Sequence, residues 1–260
     1  MSGMHRVRAL VVSSLVIAAS ACASPPTYRV HHKLLDGSVP PPQRVVLLPA
    51  DVNIFRLSTS SIDSVPELSH RASDEVGSII ATELPVKGLE LVSLPQLSES
   101  EQDVVTEHVL FFGAAADASL PTPLDVGTDS KDLDAWWHKI EHFDLCLGPG
   151  LSFLKERTGC STAVMIAGAA AESTGGRKVA TFFGTLFGGM YAPTSATDLF
   201  LGFVDLETGD LLWVGEHSDT GDWMADADAL SKREDLKKIV HGLLERYPGL
   251  AEYREDSKRD

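Results

Sequence analysis

Basic residues are scarce in this chain: 22 lysines and arginines stand against 37 aspartates and glutamates, a formal charge of −15 over 260 residues. That deficit excludes nucleic acid as a partner, because neutralising a phosphate backbone requires clustered cations. Catalytic signatures are missing too. There is no Gly-x-x-x-x-Gly-Lys, no His-Glu-x-x-His and no Gly-x-Ser-x-Gly, and Gly175-Gly176-Arg177-Lys178 lacks the spacing and flanking elements of a phosphate loop. The acidic run at residues 219–228 has neither the central glycine nor the terminal glutamate of a calcium loop, so Asp226 and Asp228 are read as stabilising the start of the last helix. No metal or cofactor is expected. Cysteine is limited to Cys22, Cys146 and Cys160.

What is present is a core. Hydrophobic residues make up 43% of the chain and charged ones 23%, the balance of a folded globular protein. The first residues address it for export: Arg6 and Arg8 lead an apolar run, residues 9–19, that is too short to span a bilayer comfortably, and small residues follow. Ala19-Ser20-Ala21-Cys22 resembles the lipobox of bacterial lipoproteins, in which the cysteine is acylated and becomes the mature N-terminus. Ala19 stands where leucine is commonest, and an ordinary signal peptide cut at the same small residues is the alternative. Ala23 is similar to the residues that direct such lipoproteins to the outer membrane, because it is not aspartate. Losing Arg6 and Arg8 with the signal leaves 20 basic residues and a mature charge of −17, so electrostatic adhesion to anionic lipid is not expected.

Four segments are predicted: a signal peptide over residues 1–21, a lipidated Cys22 with a proline-rich tether to residue 43, an α/β domain over 44–250 and a polar tail over 251–260. Pro25-Pro26 and Pro40-Pro41-Pro42 favour extended chain, and on that tether His31 and His32 are expected to be solvated. The domain opens with a strand at residues 44–49. A helix begins at Pro66, with Leu68, Ala72, Val76, Ile79, Ile80 and Leu84 on one face, and a strand at residues 89–94 completes a β-α-β order. Ser98-Glu99-Ser100-Glu101 has the form of a capping box ahead of Val104, Val105, Phe111, Phe112 and Ala115. Leu133, Trp136, Trp137 and Ile140 define another amphipathic stripe, and residues 151–157 a short helix capped at Gly159. Residues 162–171 are nearly all small or apolar, as in a strand covered on both faces. Two further apolar runs flank Leu206-Glu207-Thr208-Gly209, a hairpin turn, and Leu236, Ile239, Val240, Leu243 and Leu244 mark a last helix. The predicted fold is α/β (α+β), a single mixed sheet layered with amphipathic helices.

The helix that ends in Thr158-Gly159 and runs into a strand, followed by Val204-Asp-Leu-Glu-Thr-Gly-Asp-Leu-Leu-Trp213, resembles the α/β domain shared by the TolB N-terminal domain, CsgG and LpoB. In element order the resemblance covers residues 44–247, with residues 98–149 as an insertion outside the shared core. It implies an envelope protein that binds or assembles with other proteins. The alternative is a periplasmic hydrolase or small-ligand-binding protein using the acidic region near His217.

Two residue sets remain as candidates. Cys146 and Cys160 form an even pair in an oxidising compartment, a disulfide opposed by the helix between them, which separates its ends by roughly 13 Å against the ~7 Å a bridge allows. Phe182, Phe183, Leu186 and Phe187 lie in residues 179–193, a charge-free stretch that is either a buried connection or an exposed contact patch for a partner or membrane.

Overall fold

The computed structural model describes residues 28–57, 61–120, 143–173, 195–219 and 233–248. Its axis is the small-residue stretch expected to be a central strand, here Thr162–Ser173. On one side this strand pairs antiparallel with Ser195–Asp205, Thr162 facing Asp205 and Glu172 facing Ser195. On its other side two strands lie end to end and parallel to it: Arg44–Leu47 along its first residues and Asp51–Leu57 along its last. Pro49 separates them, as a residue without an amide donor must.

In chain order the strands are β1 Tyr28–Val30, β2 Arg44–Leu47, β3 Asp51–Leu57, β4 Ile62–Ser64, β5 Glu90–Val92, β6 Thr162–Ser173, β7 Ser195–Asp205 and β8 Leu211–Asp219. The helices are α1 His32–Leu35, α2 Pro66–Val86, α3 Glu99–Ser119, α4 Ser152–Thr158 and α5 Arg233–Glu245. One mixed sheet runs β1-β8-β7-β6-β2-β5, with β3 beside β6 and β4 beside β3. The expected β-α-β order holds, since β2 and β5 are parallel neighbours around α2. β3 and β4 were not anticipated.

Both faces of the sheet are covered. On one, α2 and α5 pack Val76, Ile80, Leu84, Val240 and Leu244 against Val52, Ile54, Val164, Leu201, Phe203 and Trp213. On the other, α3 and α4 pack Val105, Val109, Phe112 and Leu154 against Val46, Met165, Phe200, Val204 and Val214. The α3 segment is therefore a full layer of this domain's core, although the sequence reading set it outside the shared core. Its start is a complete capping box: the Ser98 amide donates to Glu101 Oε2 at 2.7 Å and the Glu101 amide to Ser98 Oγ at 3.4 Å. Phe111 is 53% exposed beside Leu110, while Phe112 is fully buried. Phe112 seats on Gly202, where an added Cβ would come within 2.4 Å of its ring. On its edge away from β6, β3 meets β4 only from Phe55 onward, and among the described residues α2 serines serve the earlier part of that edge: Ser73 Oγ accepts from Val52 N at 3.0 Å and Ser69 Oγ from Ile54 N at 2.9 Å.

The tether reading is corrected over residues 28–39. Tyr28, Arg29 and Val30 are buried and pair antiparallel with Gly215, Val214 and Trp213. Leu34 is buried, and His31, expected in solvent, is 1% exposed. The two proline clusters bracket a short stretch with enough apolar surface, Tyr28, Val30 and Leu34, to seal the open edge of β8. The disulfide reading is also corrected, because both cysteines are free. Cys146 is exposed and donates its thiol to Thr208 O at 3.2 Å, whereas Cys160 is buried against the α3 and α4 layer at the start of β6.

Candidate functional site

The β7 and β8 hairpin carries polar groups at each end. Its turn is fixed by Asp205, whose Oδ1 accepts from Glu207 N at 2.8 Å and Thr208 N at 2.9 Å. Gly209 follows at φ 80°. Beside this turn Lys33 pairs with Asp210. Burial pushes the Asp210 carboxyl up, but hydrogen bonds from Lys33 and Thr208 outweigh it and hold the group below the usual aspartate range. Behind the pair, His31 Nδ1 accepts from Lys33 N at 3.1 Å, which puts the proton of the neutral ring on Nε2. Burial and then the neighbouring His32 lower the His31 pKa. Phe143 meets the His31 ring edge-on at 6.3 Å between centroids. The result is a polar clasp between the first strand and the hairpin.

At the other end, the α3 side carries Glu216. Burial above all, then Asp198 and Asp117, raise its carboxyl to about 7, with Arg29 offsetting part of the rise. Glu216 breaks the inward alternation set by Val214, a signal readable in the sequence. Arg29, 2% exposed inside a Tyr-Arg-Val strand, has no such signal. On the α5 side lies His217. It lines a cavity of about 200 Å³ with Lys238, Ile239, Gly242, Leu243 and Arg246. That is smaller than the ~300–1,000 Å³ of ordinary small-molecule sites. Asp219 is the last residue of β8, and Asp222 lies outside the described residues.

A third group joins α2 to α5. Glu83, 4% exposed, meets His241 Nδ1 at 3.1 Å, and His241 Nε2 meets Glu245 at 3.1 Å, with Lys237 at 3.9 Å from Glu83. Its residues pin two helices together. Among the described residues no group of three or more His, Cys, Asp or Glu is arranged to hold a metal, and no helix is long and apolar enough to cross a membrane. Cys22, Phe182, Phe183, Leu186 and Phe187 lie outside the described residues.

No protein-family model matches the chain, and no curated protein does either. Solved structures align with it at low similarity. A PelC dodecamer from Paraburkholderia phytofirmans aligns at 10% identity and TM-score 0.32, over 78% of this chain and 85% of that one. Lipoprotein GNA1162 from Neisseria meningitidis aligns at 14% identity and TM-score 0.29, over 78% and 99%. The LpoB C-terminal domain from Salmonella enterica aligns at 10% identity and TM-score 0.25, over 72% and 90%. At this distance the functional reading rests on the chain's own residues.

Proposed function

We propose that this chain is a non-enzymatic lipoprotein of the bacterial envelope, anchored in the outer membrane through acylated Cys22, whose periplasmic domain binds or assembles with envelope proteins. The observation that carries this reading is the N-terminal sequence: Arg6 and Arg8, the apolar run and Ala19-Ser20-Ala21-Cys22, with Ala23 after the cysteine. Several acyl chains on one cysteine make the attachment stable, since each buried methylene contributes roughly 0.8 kcal/mol. The partner surface includes Phe182, Phe183, Leu186 and Phe187, in a stretch without charge. A lipid-anchored protein needs no cofactor for this role, and none is assigned.

Purification from native envelopes in mild detergent tests the binding role. The expected result is a stoichiometric partner or a closed ring of this chain. A monomer that carries a small molecule and no protein would contradict it and favour the ligand-binding alternative near His217.

A further inference from the structure

The linker between the acylated cysteine and the folded domain is five residues, 23–27, because β1 begins at Tyr28. Two of them are Pro25 and Pro26, which favour extended chain at ~3.1 Å per residue, so Cys22 is held within about 20 Å of Tyr28. The direction it takes is set by register. Tyr28 pairs with Gly215, Gly215 with Leu201 and Leu201 with Ile166, and the chain entering β1 comes from the side of Ser173. Ser173 lies seven residues beyond Ile166, roughly 23 Å at 3.3 Å per residue. An extended linker therefore brings Cys22 about level with the end of the sheet where β6 and β8 finish and β7 begins.

We infer that this end of the sheet rests on the lipid surface and that the hairpin turn at residues 206–209 points away from it. The inference rests on acylation of Cys22. For the hairpin turn to face the bilayer instead, the linker would have to reverse within five residues and run back along β1, against the extension imposed by Pro25-Pro26. Charge plays no part, since the mature protein carries a net charge of −17; linker length alone sets the orientation. One observation agrees with the assignment. Ile62, opposite Leu57 on β4 and so level with Ser173, is an exposed aliphatic side chain, 43% accessible, at this end. The partner of this face is a bilayer surface, and the hairpin turn, with the Lys33–Asp210 clasp, is left free for proteins.

Depth-dependent quenching tests the orientation. A fluorophore is placed on Ile62→Cys or on Val86→Cys, 68% exposed at the far end of α2, about 30 Å of helix away, in a Cys146→Ser background. The acylated protein is reconstituted in phosphatidylethanolamine and phosphatidylglycerol vesicles carrying a nitroxide headgroup lipid. Quenching severalfold stronger at Ile62 than at Val86 is expected, and inserting twenty Gly/Ser residues between Ala23 and Ser24 should abolish the difference while the protein still floats with the vesicles. Equal quenching, or stronger quenching at Val86, in protein that floats overturns the orientation and leaves the anchor intact. Failure to float, with no acyl label on Cys22, overturns the anchor and the orientation with it.

Discussion

Lys33, just beyond the first strand, is ion-paired with Asp210 at the start of the last one, a contact spanning 177 positions of sequence. It closes the sheet edge, because β1 is only three residues long and adds few ladder hydrogen bonds of its own.

Asp210→Ala should lower stability by about 1–2 kcal/mol, modest because Lys33 keeps access to water. The Asp210 carboxyl titrates below its unfolded value, so its contribution is complete above pH ~4 and is lost as pH falls through the folded value. His31 acts in the same sense: its lowered pKa means that acidification below ~6.5 favours the unfolded, protonated ring. Urea denaturation between pH 7 and about 2 should show a decline that His31→Gln flattens in its upper part, below pH ~6.5, and Asp210→Ala in its lower part, below pH ~4. Parallel curves for all three proteins would contradict the clasp.

Glu216 has the opposite sign. Its folded carboxyl, raised to about 7, holds a proton that the unfolded chain releases near 4.5, so this residue costs stability progressively as pH rises through that window. Glu216→Gln should therefore stabilise the protein at pH 7.5 by roughly 1–2 kcal/mol, discounted for partial exposure, and change little at pH 4. Thermal melts at the two pH values measure this. A uniform loss at both would mean that the charged carboxylate is a structural partner of Arg29.

Gly209→Ala should cost more than 2 kcal/mol. The site has φ 80°, and a Cβ would lie 2.0 Å from the Gly148 carbonyl oxygen, so backbone strain and a clash with backbone act together. A chemical-denaturation midpoint close to that of the parent chain would show that the turn relaxes freely.

Phe187→Asp separates a contact patch from a core connection. At a patch, the thermal midpoint stays nearly constant while association with the partner or membrane falls; in a core, the buried carboxylate unfolds or strongly destabilises the domain. The proposed function predicts the first outcome.

The hairpin, the central strand and α2 were legible because their signals are local: long apolar runs, Gly209 at the turn, and Val76, Ile79, Ile80 and Leu84 at helical spacing. β3 was not. Asp51, Asn53 and Arg56 dilute its pattern, and only Val52 and Ile54 face the core, an alternation too brief to stand out without its neighbour β6. β1 was hidden by composition, since prolines on both sides and His31-His32-Lys33 read as solvated tether. What packs it is remote, the open edge of β8 and Asp210. The placement of Phe111 outside and Phe112 inside depends on Gly202 admitting a ring, which helical spacing alone does not reveal. For the same reason the Glu216, Asp198, Asp117 and Arg29 grouping, drawn from three strands and a helix, had no linear motif.

Anchoring through Cys22 is the central claim, and metabolic labelling with an alkyne fatty acid tests it most directly. The parent chain should carry label and sediment with membranes, whereas Cys22→Ser should lose the label, leave the membrane fraction or stall with its signal attached, and still fold, because packing begins at Tyr28. Undiminished label on the Cys22→Ser protein would contradict the account.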